Sequence, residues 1–173
     1  GLALYTLHMD FEVVQGDIAT QEADALVNAA NTGLRMGSGV AGALRRAAGD
    51  ELNDEAVSKG PVDLGGVATT DAYDLNAEYV IHAAAMPAGG QATADSIRDA
   101  TRNTLEEADL LDCETLVIPA LGTGVAGFSL RQGAEIICEE IAAFAPSSLR
   151  DVRVIAYSDE DYETIRSVAE SVR

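Results

Sequence analysis

Apolar residues along this chain fall in short runs that alternate with longer stretches of three-to-four spacing, the signature of strands followed by helices. Phe11-Glu12-Val13-Val14-Gln15 alternates as a strand and ends at Gly16-Asp17-Ile18. Ala25-Leu26-Val27-Asn28 reads as a short buried strand that turns through Asn28-Ala29-Ala30-Asn31. Ala43, Leu44, Ala47 and Ala48 form a helical stripe ended by Gly49, and Asp50 reads as the N-cap of a second short helix that stops before Gly60-Pro61. Two strands are predicted over Gly66–Thr70 and Tyr79–Ala84, then a loop at Pro87-Ala88-Gly89-Gly90. Ala94, Ile97, Thr101, Leu105 and Ala108 mark an amphipathic helix, and Leu116-Val117-Ile118-Pro119 a buried strand. Ser129-Leu130-Arg131-Gln132 reads as a capping box opening a helix through Ala134, Ile137, Cys138 and Ile141. A strand over Val152–Tyr157 leads to a last helix, capped by Ser158 and striped by Tyr162, Ile165 and Ala169.

Strands that alternate with helices in this way predict an α/β fold with a mainly parallel sheet between two helical layers. Ligands of such sheets bind at the C-terminal ends of the strands. Asp17, Asn31 and Tyr157 fall at those ends, and so do two glycine-rich stretches.

These stretches, Gly37-Ser38-Gly39-Val40-Ala41-Gly42 and Gly122-Thr123-Gly124-Val125-Ala126-Gly127, share the spacing G-x-G-x-x-G and the core Gly-Val-Ala-Gly. Glycines let backbone N–H groups approach an anion closely, and the following helix N-terminus adds roughly half a positive charge. One such loop also serves plain strand-to-helix packing, so each alone is weak. Two of them suggest a diphosphate.

Composition narrows the classes further. The 173 residues suffice for one domain, read as 9–173, with residues 1–8 either an extension or a first strand, and Met9 as one candidate start. No apolar run reaches bilayer length and no basic leader precedes one, so neither a membrane span nor a signal peptide is expected. The 29 acidic residues outnumber the 11 basic ones, and Lys59 is the only lysine. That balance argues against broad nucleic-acid or anionic-membrane binding, which needs basic patches. It resembles instead proteins of a high-salt cytoplasm, where a Debye length of about 3 Å at 1 M screens an acidic surface from an anionic nucleotide.

Single residues read two ways. From position alone, Asp17 is either a cap for the next turn or a ligand acceptor at a strand end. The amides of Asn28 and Asn31 satisfy backbone groups in a tight turn, or else Asn31 faces whatever the first loop holds. His82, on an apolar strand, reads more readily as a hydrogen-bonded core residue than as a catalyst. Cys113 and Cys138 have no C-x-x-C spacing and no neighbouring histidine, so buried thiols are expected, with no disulfide and no metal site.

Taken in order, Gly16-Asp17-Ile18, Val27-Asn28-Ala29-Ala30-Asn31, Gly39-Val40-Ala41-Gly42-Ala43, Tyr79-Val80-Ile81-His82 and Pro119-Ala120-Leu121-Gly122-Thr123-Gly124-Val125 resemble the macrodomain family over almost the whole chain. The resemblance implies a three-layer α/β/α sandwich around a mixed sheet of about six strands, binding ADP-ribose or ADP-ribosylated macromolecules with no cofactor and no metal. By matched position it implies that Asp17 accepts from the adenine amine, with the Ile18 N–H nearby, and that Asn31 binds the distal ribose. Gly37, Ser38, Gly39, Val40 and Ala41, with Gly122, Thr123, Gly124, Val125, Ala126 and Gly127, would clasp the diphosphate, and Tyr157 would pack on adenine. Two departures stand out. The aspartate that follows Gly-Val in the hydrolase branch is here Ala41, and the aromatic residue common after the second Gly-Val is Ala126, with Phe128 as a partial substitute.

The leading expectation is therefore ADP-ribose recognition with slow ADP-ribosyl hydrolysis centred on Asn31. A pure reader that binds without turnover is the alternative. A dinucleotide oxidoreductase fits poorly, because the first glycine stretch does not sit directly on its strand and no strand-end acid follows at the usual distance. A P-loop NTPase is excluded, since no Gly-Lys-Ser/Thr occurs.

Overall fold

The computed structural model describes residues 8–124 and 127–172. The expected extension at residues 1–8 therefore lies outside them apart from His8. Six strands, β1 (Asp10–Gln15), β2 (Ala25–Asn31), β3 (Val67–Asp71), β4 (Tyr79–Met86), β5 (Thr115–Pro119) and β6 (Asp151–Ala156), form one sheet in the order β1-β6-β5-β2-β4-β3. Every neighbouring pair is parallel except β3 with β4, which is antiparallel. The sheet is thus mixed and mainly parallel.

Both faces are covered. Helices α3 (Ala94–Leu110), α4 (Leu130–Ala143) and α5 (Asp159–Val172) contribute Ile97, Ile137 and Ile165 to a core with Val27 and Ile118. Helices α1 (Gly39–Ala48) and α2 (Asp50–Ser58) contribute Leu44 and Leu52 to a second core with Leu26 and Val117. Adjacent residues of the central strands point to opposite layers, so Leu26 and Val27 are both fully buried. That is why β2, β4 and β5 read as continuous apolar runs, while the edge strand β1 alternates. Each large side chain buried this way contributes roughly 1.5–3 kcal/mol.

Local details depart from the sequence reading. β2 runs on to Asn31, so Asn28 lies inside the strand and not at a turn. Asp50 is the first residue of α2, and the cap position belongs to Gly49, whose φ of 103° serves both as the end of α1 and the start of α2. Only glycine takes that angle without strain. Asp50 instead pairs with Arg45 at 3.0 Å. At α4, Ser129 Oγ accepts the Gln132 N–H at 3.3 Å, but no Gln132 side-chain bond returns among the described residues. The reciprocal box is found at α3, between Thr93 and Ser96.

Candidate functional site

The site is set by where the strands stop. A cleft of about 440 Å³ opens across the C-terminal ends of β6, β5, β2 and β4, in the order those strands take in the sheet. Tyr157, just past β6, marks one end. Pro119 and Ala120 of β5 lead to Gly122, Thr123 and Gly124 in the middle. Ala29, Ala30 and Asn31 of β2 follow, and Met86 of β4 closes the far end.

The first glycine stretch enters as Gly37, Ser38, Gly39, Val40 and Ala41. It is less a loop than expected, because α1 begins at Gly39, and Val40 and Ala41 belong to its first turn. The orphan N–H groups of that turn therefore line the cleft, where they present donors and the positive end of the helix dipole. Ser38 occupies the N-cap position without making a side-chain cap bond.

The second stretch reverses direction tightly. Gly122 has φ 77°, and a Cβ there would stand 2.7 Å from Ala92 Cβ and 2.9 Å from Ile97 Cγ1. The Phe128 N–H donates to Gly122 O at 3.2 Å, and the Gly127 N–H to Gly124 O at 3.1 Å. Val125 and Ala126, expected to contribute, lie outside the described residues.

Asn31 lines the cleft with its amide partly committed: Oδ1 accepts the Gly33 N–H at 2.9 Å, which leaves Nδ2 as the donor to a ligand. Asn31 thus caps its own turn and still lies in the cleft beside the first glycine stretch. Asn28 is different, because it is buried and pairs with His82 at 3.0 Å. His82 is a core residue, as expected of it, and burial lowers its pKa to about 4.

Four sequence candidates do not line the cleft. Asp17 caps a single 3-10 turn, Ile18–Thr20, with Oδ1 accepting the Ala19 N–H at 2.9 Å. Ile18 is buried against the α1 and α2 core. Gly127 is exposed, and Phe128 packs against the other core, its Cδ1 3.6 Å from where a Gly133 Cβ would stand. Sequence reading missed Arg35, Asp161 and Ile165, which do line it. In sequence Ile165 reads only as part of the helical stripe, and its distance from Tyr157, one junction residue and about two helical turns, is the available clue.

Cys113 and Cys138 are free and buried. Burial, helped by the Asp24 carboxylate, pushes the Cys113 thiol up to about 12. No helix among the described residues is long and apolar enough to cross a membrane.

The fold is shared with known proteins. The model for the Macro domain family matches residues 27–137, and the chain belongs to that family. An uncharacterized protein of Mycobacterium tuberculosis is 43% identical over 151 residues, covering 87% of this chain and 42% of its own length. The chain thus spans well under half of the mycobacterial relatives it matches. An uncharacterized protein of Sulfolobus acidocaldarius is 39% identical over 170 residues, covering 95% of this chain and 93% of its own. Among solved structures, the Oceanobacillus iheyensis macrodomain with ADP superposes with a TM-score of 0.83 at 26% identity, covering 92% of this chain and 90% of that one. The Trypanosoma brucei macrodomain in complex with ADP-ribose gives 0.81 at 27%, covering 92% and 68%.

Proposed function

We propose that this protein binds ADP-ribose, free or attached to a macromolecule, along the cleft. The observation that carries this reading is the order of groups across the sheet: an exposed aromatic at β6, a glycine turn after β5, the glycine-opened N-terminus of α1, and an amide donor at Asn31. A base stacks on Tyr157, a diphosphate accepts from the backbone of both turns, and the distal ribose meets Asn31 Nδ2. Asp17 still has a carboxylate oxygen uncommitted to its cap, which serves the adenine amine, with the Ile18 N–H beside it. Solved neighbours hold ADP and ADP-ribose, which supports the same assignment. Isothermal titration tests it: ADP-ribose binds more tightly than AMP, since only the longer ligand spans both turns and reaches Asn31. Equal affinities for the two overturn it.

A slow hydrolysis of ADP-ribosyl conjugates accompanies binding in this reading. Ala41 lines the cleft where a carboxylate would orient water, so turnover relies on Asn31, backbone donors and proximity. A single-turnover assay on a mono-ADP-ribosylated protein, with Asn31→Ala as the control, separates this from a reader that never turns over. The acidic surface and a high-salt cytoplasm belong to the same proposal, and titration in molar against low salt tests them.

A further inference from the structure

Two charged side chains line the cleft among the described residues, and they stand at opposite ends. Arg35 lies at the β2 and β4 end: Leu34 before it sits beside Gly60, and the Met36 N–H after it donates to Asn53 of α2 at 2.8 Å. Asp161 lies at the β6 end, on the first turn of α5. Neither the Arg35 guanidinium nor the Asp161 carboxylate makes a hydrogen bond or ion pair with another described residue.

We infer that Asp161 decides which nucleotides enter, accepting hydrogen bonds from the vicinal hydroxyls of the adenosine ribose and rejecting ligands that carry a phosphate there. This rests on the ADP-ribose reading and says which of its derivatives the site admits. Acids in a first helical turn are ordinarily explained by the helix dipole, and α5 has three, Asp159, Glu160 and Asp161. Asp159 is held by Gln15 at 2.6 Å, and neither it nor Glu160 lines the cleft. Asp161 alone does, and its placement is specific. Asp161 and Ile165 are one turn apart on one helix face and both line this end of the cleft, where Ile165 is buried and Tyr157 supplies the exposed apolar surface. A base stacked on Tyr157 brings its own ribose toward the Asp161 carboxylate, four residues further along the chain.

A vicinal diol offers two donors, and a carboxylate offers two acceptor oxygens, so the hydroxylated ribose is matched. A phosphate monoester there brings about −1.5 to −2 charges and only acceptors, against a group that is itself only an acceptor. Exclusion by an unpaired like charge is how a site discriminates without extra contact to its preferred ligand. Arg35 gives the cleft the opposite sign at the other end, so the penalty is local to the adenosine side.

The experiment compares ADP-ribose with 2′-phospho-ADP-ribose by isothermal titration, for the native protein, Asp161→Asn and Glu160→Gln. Glu160→Gln removes the same charge one residue away and outside the cleft, so it reports the general field of the acidic surface. The native protein binds the phosphorylated ligand about tenfold or more weakly. Asp161→Asn narrows the ratio to about threefold or less, and Glu160→Gln leaves it near the native value. Near-equal native affinities, an unchanged ratio in Asp161→Asn, or equal narrowing in both variants overturns the inference while ADP-ribose binding stands. Failure of the native protein to bind ADP-ribose overturns the underlying reading, and this inference with it.

Discussion

Asn28 and His82 face each other across the β2–β4 ladder, Nδ2 to Nδ1 at 3.0 Å, with both side chains buried. The Asn28 amide donates to Nδ1, so the imidazole proton sits on Nε2 and donates to Thr70 Oγ1 at 2.9 Å. The Thr70 hydroxyl donates in turn to Asp71 O at 3.0 Å. Three strands are tied together by one neutral ring.

That ring should make stability depend on pH. Burial lowers the His82 pKa from 6.5 to about 4, so between those values the unfolded chain binds a proton that the folded one refuses. The stabilising contribution is complete above about pH 6.5 and is lost as pH falls toward 4. Urea unfolding at pH 7.5 and 4.5 should show about 2 kcal/mol of this dependence, absent from His82→Gln once each protein is compared with itself. An identical pH slope in both proteins would show that His82 does not titrate this way.

Asp17 has two tasks that a pair of variants separates. Asp17→Ala removes the cap on the Ala19 N–H and the proposed adenine acceptor together. It should cost about 1 kcal/mol of stability and weaken adenine ligands by about 1.5–3 kcal/mol. Asp17→Asn keeps a capping oxygen, so its stability should stay near native while adenine binding still falls. Ribose 5-phosphate binding should be untouched in both. A loss of stability with no change in affinity would make Asp17 a cap only.

Ala41→Asp tests why turnover is slow. Position 41 is the third residue of α1, where an aspartate favours the helix dipole and reaches back toward the N-cap N–H, which tempers the cost of a buried site. Single-turnover hydrolysis of ADP-ribose linked to an acidic residue should rise by about 10²–10⁴-fold. Affinity should drop, more at low salt, because the new charge meets the diphosphate. Faster native turnover that this change reduces would move attention to Asn31 and the second glycine turn.

Gly122→Ala should cost both stability and affinity. Its φ of 77° strains any residue with a Cβ, at roughly 1–2 kcal/mol, and the new atom would collide with Ala92 and Ile97. Relief requires the turn to move away from α3, which displaces Thr123 and Gly124 in the cleft. Titration with ADP-ribose and a thermal melt check the two effects, and unchanged affinity would count against a role for this turn in diphosphate binding.

Asp109 predicts an acid-sensitive tie remote from the cleft. Its carboxylate accepts N–H groups of Ser147, Ser148 and Leu149 at 2.8, 2.8 and 3.0 Å. Burial alone would raise its pKa, but these donors and the Ser148 hydroxyl hold it below the ordinary carboxylate value. Its contribution is present above the unfolded pKa near 3.9 and is lost as pH falls through the lower folded value. Asp109→Asn, with one acceptor oxygen in place of two, should cost about 2 kcal/mol at pH 7 and less at pH 3. Equal costs at the two pH values would contradict the linkage.

The alternation of apolar runs with helical stripes determined the layered α/β fold, because a strand covered on both faces has no solvent side to mark with polar residues. The repeated Gly-Val-Ala-Gly likewise pointed to two backbone segments that line the cleft, residues 37–41 and 122–124, since spacing and residue type suffice for close backbone approach. Strand order was a different matter. That β5 and β6 lie between β1 and β2 depends on pairings between distant segments, which no local pattern records. The same holds for side chains. Local sequence leaves Asp17 equally a cap or a ligand acceptor, and nothing in it marks out Asp161 among the three acids that open α5. The packing of α5 on α4, β1 and β6 places Asp161 in the cleft, while Asp17 spends one oxygen on its own turn. Local chemistry made each of them an acceptor, and long-range contacts decided what each one faces.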